Sequence, residues 1–307
     1  MFSTRSSAAR LMLIVVIGLI VLKVVAAIIT GSISILAQVV DSGLDLFAVA
    51  VTFIAVRFAT KPADREHPFG HGKAENIAAI VQAILIFLAG GSIIYSSVHR
   101  MMVGAKVELA EAGIGVMLVS MIASIFLSRH LFKVARAADS VALEANAHNI
   151  NADIYSTAAV LVGLAVVRIG QLVGVNLNIL DPIIAIGVAL FILKSAYDVV
   201  RKSFGGLIDV KLPQAEEDEI VAVIKKHGDL VAGFHKIRSR KAGSQRHIDF
   251  HLVVSRDISV EKAHQLCDQL EQEIEKRLSD TSVTIHVEPC DGKCEHCSTS
   301  PDLCQRT

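Results

Sequence analysis

Apolar residues fall in six long blocks, at roughly 11–30, 32–57, 76–99, 108–128, 150–173 and 179–199, separated by shorter polar stretches. Each block is about 20 residues long, the length at which an α-helix crosses about 30 Å of hydrocarbon. The pattern therefore predicts six membrane-spanning helices. Beyond about residue 212 it changes to charged and amphipathic segments, with the boundary near Lys211, Leu212 and Pro213. From about 215 to 287 the pattern reads helix, strand, strand, helix, strand. His247-Ile-Asp-Phe-His-Leu-Val-Val254 alternates as a half-buried strand does, and Val260 to Leu278 repeats its apolar residues with a helical period.

Composition agrees with a membrane protein. Of 307 residues 52% are hydrophobic, the mean hydropathy is +0.54 and Trp is absent, which is too apolar for a single soluble domain of ordinary surface. A formal net charge of +0 gives no reason to expect a nucleic-acid partner. The distribution of charge is more informative. Arg5 and Arg10 precede the first block, Arg57, Lys61, Arg65 and Lys73 separate the second and third, and Arg129, Lys133 and Arg136 separate the fourth and fifth. The alternate loops are poorer: the first has no Lys or Arg, the second has Arg100 and Lys106, and the third has only Arg168 at its edge. Positive loops stay cytosolic, so both termini are expected in the cytosol. The first block outruns a signal-peptide core and is read as a retained helix. All the cysteines, Cys267, Cys290, Cys294, Cys297 and Cys304, fall in the part that this rule places in the reducing cytosol, where metal ligation is favoured over disulfides.

The chemistry lies in carboxylates inside the apolar blocks. Asp41 and Asp45 are four residues apart in the second block, so a helix sets both on one face, about 6 Å apart along its axis. Asn149 and Asp153 repeat that spacing in the fifth block. A carboxylate at mid-bilayer depth costs about 2.5 to 3.5 kcal/mol on insertion scales. Asp153 sits near the start of its block, where a carboxylate can also reach water. The pair at 41 and 45 has no such outlet, and a divalent cation held between the two helices supplies the missing partner. Ser120, Ser124 and Ser128 form a small polar face in the fourth block, suited to tight helix packing or, as the alternative, to lining a water path.

Lys61-Pro-Ala-Asp-Arg-Glu-His-Pro-Phe-Gly-His-Gly-Lys-Ala-Glu75, following the aspartate pair, closely resembles the cation diffusion facilitator family of divalent metal cation/proton antiporters. The resemblance covers nearly the whole chain. It implies a six-helix, all-α transmembrane bundle at 1–211, a C-terminal α+β ferredoxin-like, metallochaperone-like cytosolic domain at 212–289, and here a Cys-rich tail at 290–307. It also implies a homodimer, multi-pass in the lipid bilayer of a bacterial inner membrane, with protons as counter-ion. No cofactor is expected, because the divalent metal (Mn, Fe or Zn) is both substrate and ligand, and no enzymatic activity is expected. In the family, the positions matching Asp41, Asp45, Asn149 and Asp153 form the transport site. Asp64, His67 and His71 match a loop site, and His235, His251, His264, His286 and Glu288 match a binuclear cytosolic site. Lys73 and Asp209 match a charged hinge.

One position departs from the pattern. Zinc-transporting members usually carry His where this chain has Asn149, and His148 next to it is turned by about 100° around the helix. An all-oxygen site suits Mn(II) or Fe(II) better than Zn(II), which favours imidazole. The tail adds Cys290, Cys294, Cys297 and Cys304, four thiols that could hold zinc or a soft metal, or could simply be reduced thiols in an unstructured tail. Three alternatives remain at this stage: a zinc-preferring transporter, an intramembrane aspartyl protease built on two carboxylates, and a metal sensor without transport.

Overall fold

The computed structural model describes residues 4–30, 33–103, 111–172 and 179–290. It divides into two compact units, Met1–Phe204 and Gly205–Thr307. The first contains long helices α1 (Arg5–Thr30), α2 (Ile33–Ala59), α3 (Lys73–Val103), α4 (Glu111–Ala137), α5 (Val141–Leu172) and α6 (Leu180–Leu207). Among the described residues α1, α2, α3, α4 and α6 are long and apolar enough to cross a membrane. Helix α5 carries Glu144, Asn146, His148, Asn149, Asn151 and Asp153 in its first half, and part of its second half lies outside the described residues. Several helices outrun the apolar blocks that announced them. Helix α5 begins at Val141 rather than near 150, because its first turns are filled by buried Ala142, Ala145 and Ala147 together with polar side chains that find partners inside the bundle.

Small residues bring the helices together. Ala8, Ala9 and Met12 of α1 cluster with Val49 and Val56 of α2, Leu131 of α4, and Leu143 and Ala147 of α5. In a bilayer the association of helices rests on such close van der Waals packing and on interhelical hydrogen bonds. Glu75, fully buried in the first turn of α3, provides one such tie. It accepts from Ser140 Oγ at 2.5 Å and from the Ala142 backbone N–H at 3.5 Å, and pairs with Arg5 Nη1 at 3.4 Å. Its carboxylate thus covers the N-terminus of α5, where unpaired N–H groups and the helix dipole favour negative charge. Ser140→Ala leaves that carboxylate short of a buried donor, and is expected to cost about 1–3 kcal/mol. A lower midpoint for thermal loss of helicity of the full protein in detergent is the check.

The second unit runs α7 (Gln214–Lys226), β1 (Val231–Ala242), β2 (Gln245–Val254), α8 (Val260–Arg277) and β3 (Thr281–Pro289), the order that the pattern predicts. Strand β2 is central, antiparallel to β1 and parallel to β3. A tight β1–β2 hairpin needs φ > 0 at its turn, which Gly243 supplies at φ 62°. Alternation along β2 sends Ile248, Phe250 and Leu252 into a core with Ile220 and Ile224 of α7 and Leu266, Leu270 and Ile274 of α8. His247, Asp249 and His251 take the intervening positions and so belong to the other face.

Candidate metal sites

Helices α1, α2, α4 and α5 of the first unit line a cavity of about 80 Å³, to which α2 contributes Asp45, α5 contributes Asn149 and Asp153, and α4 contributes Ser120 and Ser124. Asp41 lies one turn before Asp45 on α2, and its side chain is outside the described residues. Ser120 Oγ is buried without a hydrogen-bond partner among the described residues. Carboxylate, amide and hydroxyl oxygens therefore line one small space, and among the described residues its lining holds the Met121 thioether as its one sulfur and no imidazole.

The serine face of α4 divides in two. Ser120 and Ser124 line the cavity, whereas Ser128 donates to Asn151 Oδ1 at 2.6 Å and ties α4 to α5. His148 is turned away from the cavity: its Nδ1 lies 2.8 Å from Ser195 Oγ on α6, and the Phe132 ring meets its edge at 5.0 Å. A fully buried set that sequence reasoning did not single out positions the ligand-bearing helices. Gln82 donates to Ala48 O at 2.5 Å and to Thr52 Oγ1 at 2.9 Å, and Asn146 Nδ2 reaches Thr52 Oγ1 at 3.4 Å. These bonds link α2 to α3 and to α5 within two turns of Asp45 and Asn149. Lys23 of α1 also lines the cavity, and a lysine inside an otherwise apolar block is the sequence signal for it.

In the loop after α2, one ligand atom from each of Asp64, His67 and His71 lies within 4.8 Å of the others. His67 Nδ1 is 3.2 Å and His71 Nε2 3.4 Å from the Asp64 carboxylate. The loop can close this tightly because Gly70 adopts φ 77°. The backbone N–H of His67, bonded to Asp64 Oδ1 at 2.7 Å, is the main reason that this exposed carboxyl sits below the usual aspartate range. His71 is buried and packs edge-on against Phe58 at 4.5 Å, and its Nδ1 has no hydrogen-bond partner among the described residues.

In the second unit His235, His251 and Glu288 form a like cluster, their ligand atoms within 4.8 Å of one another. Strand register builds it. His235 of β1 lies opposite His251 of β2, which lies beside His286 of β3. A bulge between His235 and Arg238, with Lys236 at φ 53°, interrupts the ladder at this point and re-aims the strand. Glu288 accepts from His251 Nδ1 at 2.7 Å and lies 3.3 Å from His235 Nε2 and 3.6 Å from His286 Nε2. His264 stands apart on α8, 3.9 Å from Asp268 and with a side chain 77% exposed.

The His251 hydrogen bond is the largest of the effects that hold the Glu288 carboxyl below the usual glutamate range. A lowered carboxyl contributes stability that is complete above the unfolded value and is lost as pH falls through the folded one. Glu288→Gln is therefore expected to flatten the acid limb of metal-free stability, between the ordinary glutamate range and the lowered value. Thermal melts across about pH 3–6 check it.

The tail expectation needs correction at its first residue. Cys290 is buried against Ala232 and Val253 and is disulfide-bonded rather than a free thiol; its partner lies outside the described residues. Thiols crowded so closely along a chain pair readily on oxidation. Cys294, Cys297 and Cys304 lie outside the described residues. Cys267 is a free, buried thiol in the core of the second unit, where burial raises its pKa, and it joins no metal-ligand cluster among the described residues. Asp209, expected at a charged hinge with Lys73, lies 3.4 Å from Arg240 Nη1 in its own unit.

The chain matches the family model for the cation efflux transmembrane domain over residues 9–208, and that for the cytoplasmic domain of cation efflux proteins over residues 212–290. It is 33% identical to the cation-efflux pump FieF of Salmonella typhi over 273 residues, 89% of each chain. With the uncharacterized transporter sll1263 of Synechocystis it shares 31% identity over 268 residues, 87% of this chain and 85% of the relative. A solved structure, the metal-bound C-terminal domain of the CzcD transporter from Thermotoga maritima, is 34% identical. It covers 25% of this chain and 91% of its own, with a TM-score of 0.25.

Proposed function

Because the chain belongs to the cation diffusion facilitator family of divalent-cation transporters, we propose that it moves Mn(II) or Fe(II) out of the cytosol in exchange for protons. Zn(II) is the alternative cargo. Family membership makes the protein an integral, multi-pass membrane transporter and not an enzyme, which removes the aspartyl protease reading. The observation that carries the metal preference is the cavity lining: Asp45, Asn149 and Asp153 contribute oxygens, and no imidazole or thiolate joins them among its described residues. Oxygen donors suit the harder divalent ions. Asp41, one turn before Asp45, completes the set.

In this reading α5 is the sixth span. Its polar half faces the cavity and the other helices, so the residues that lower its hydropathy meet partners or cargo instead of lipid. The domains run 1–211, 212–289 and 290–307, both termini are cytosolic, and the cytosolic part is a ferredoxin-like domain through which two copies associate. His235, His251 and Glu288 then hold a cytosolic metal, with the exposed His286 and His264 free to complete it at the dimer interface; Asp64, His67 and His71 hold another at the loop. Reduction of Cys290 would be needed before it could join Cys294, Cys297 and Cys304 around a soft metal. Ligands must lose protons to take a metal, so cytosolic binding releases protons and acidity on the far side displaces the cargo.

Proteoliposomes loaded with a pH-sensitive dye test the exchange. An interior acidified relative to the bath is expected to accelerate Mn(II) or Fe(II) uptake and to lose its acidity as metal enters. Uptake that is unchanged when a protonophore collapses the gradient would sink the antiport mechanism.

A further inference from the structure

Oxygen donors are not alone in the transport cavity. Lys23 enters its wall from α1 and donates from Nζ to Ser42 Oγ at 2.6 Å, and both residues line the same space as Asp45, Asn149 and Asp153. Ser42 lies between Asp41 and Asp45 on α2 and is only 3% exposed. A lysine at a helix end can run its stem along the lipid and leave its charge in the headgroup region. Lys23 does not do so. Its ammonium is held by a buried hydroxyl inside the bundle, at the place where a divalent cargo would be bound.

We propose that Lys23 is the built-in counter-cation of the transport cavity and limits how tightly the metal is held. The inference rests on the reading that Asp45, Asn149 and Asp153 bind the cargo. Carboxylates gathered in so small a volume repel one another strongly, because the effective dielectric there is well below that of water. One fixed ammonium relieves part of that repulsion while no metal is bound. An arriving divalent ion then gains only the difference between its own attraction and the attraction it displaces, and it is repelled by the lysine for as long as both remain. On release the ammonium recovers its interaction with the carboxylates, which favours departure of the metal. A singly charged ion gains little from displacing a charge equal to its own, so the same lysine selects for divalent cargo.

The test uses full-length protein in proteoliposomes, with initial uptake rates measured against Mn(II) concentration and Zn(II) run in parallel. Wild type is compared with Lys23→Gln, which keeps a donor for Ser42 but no charge, Lys23→Arg, which keeps the charge, and Asp45→Ala. Lys23→Gln is expected to lower KM about tenfold and to lower kcat by a similar factor, because metal binds more tightly and leaves more slowly. Lys23→Arg is expected to stay within about threefold of wild type in both constants. A merely structural role would instead raise KM or reduce kcat alone. Unchanged constants in Lys23→Gln, or equal loss in the Gln and Arg variants, overturn the proposal. Should Lys23→Gln fail to reconstitute, Lys23→Met is read by the same split. Wild-type flux in Asp45→Ala overturns the transport-site reading itself, whereas an inactive Asp45→Ala beside an unaltered Lys23→Gln removes only the role of Lys23.

Discussion

Asp45→Ala is expected to reduce metal flux to the level of protein-free liposomes, with helical content and oligomeric state unchanged. Asp45 lines the cavity between α1, α2, α4 and α5 and is one of its two described carboxylates. Removing it takes away a ligand oxygen, a unit of negative charge and a proton carrier together. Losing even an outer-shell partner weakens metal sites by about 10–100-fold, so a lost direct ligand is expected to exceed about 100-fold. The helix itself tolerates alanine, because Asp45 is not among the fully buried packing residues of the bundle and alanine is the best helix former. Asp45→Asn separates the contributions. It keeps an oxygen at the site but cannot bind and release a proton, so metal movement uncoupled from pH would assign Asp45 to the proton side of the exchange. Wild-type uptake in the alanine variant would sink the assignment of this cavity to transport.

What could be read from the sequence follows the range of the forces involved. The spans were legible because transfer into hydrocarbon depends on local composition. The element order of the second unit was legible because alternation along β2 and the helical period of α8 are local patterns. Clusters assembled by register were half legible. His235, His251 and Glu288 meet because three strands align, which spacing alone does not reveal, and His264, carried on α8, lies outside that cluster within the single chain. Pairings across the bundle were not legible. Nothing local ties Lys23 to Ser42, or Glu75 to Ser140 and Arg5, and these partners lie 19, 65 and 70 residues apart. The same distance effect separates Ser128, a packing tie, from Ser120 and Ser124, which line the cavity, although all three share a spacing of four.

Asn149→His is expected to shift preference from Mn(II) and Fe(II) toward Zn(II), by about tenfold or more in the ratio of kcat/KM values. Position 149 is where the resemblance and the chemistry of this chain part company. Its amide lines the cavity, while the imidazole of His148 is committed to Ser195 at 2.8 Å and cannot take its place without breaking that contact and turning about 100° around the helix. An imidazole at 149 would therefore be the first imidazole among the described residues that line the cavity. It would strengthen binding of Zn(II) far more than that of Mn(II), and would add a group that titrates near neutral pH to a set of carboxylates. Two changes should then appear together: zinc uptake rises relative to manganese, and flux becomes steeply dependent on pH between about 6 and 7. Zinc uptake that already dominates in the wild type would instead show that the charge and size of the cavity, and not the ligand at 149, decide which metal is carried.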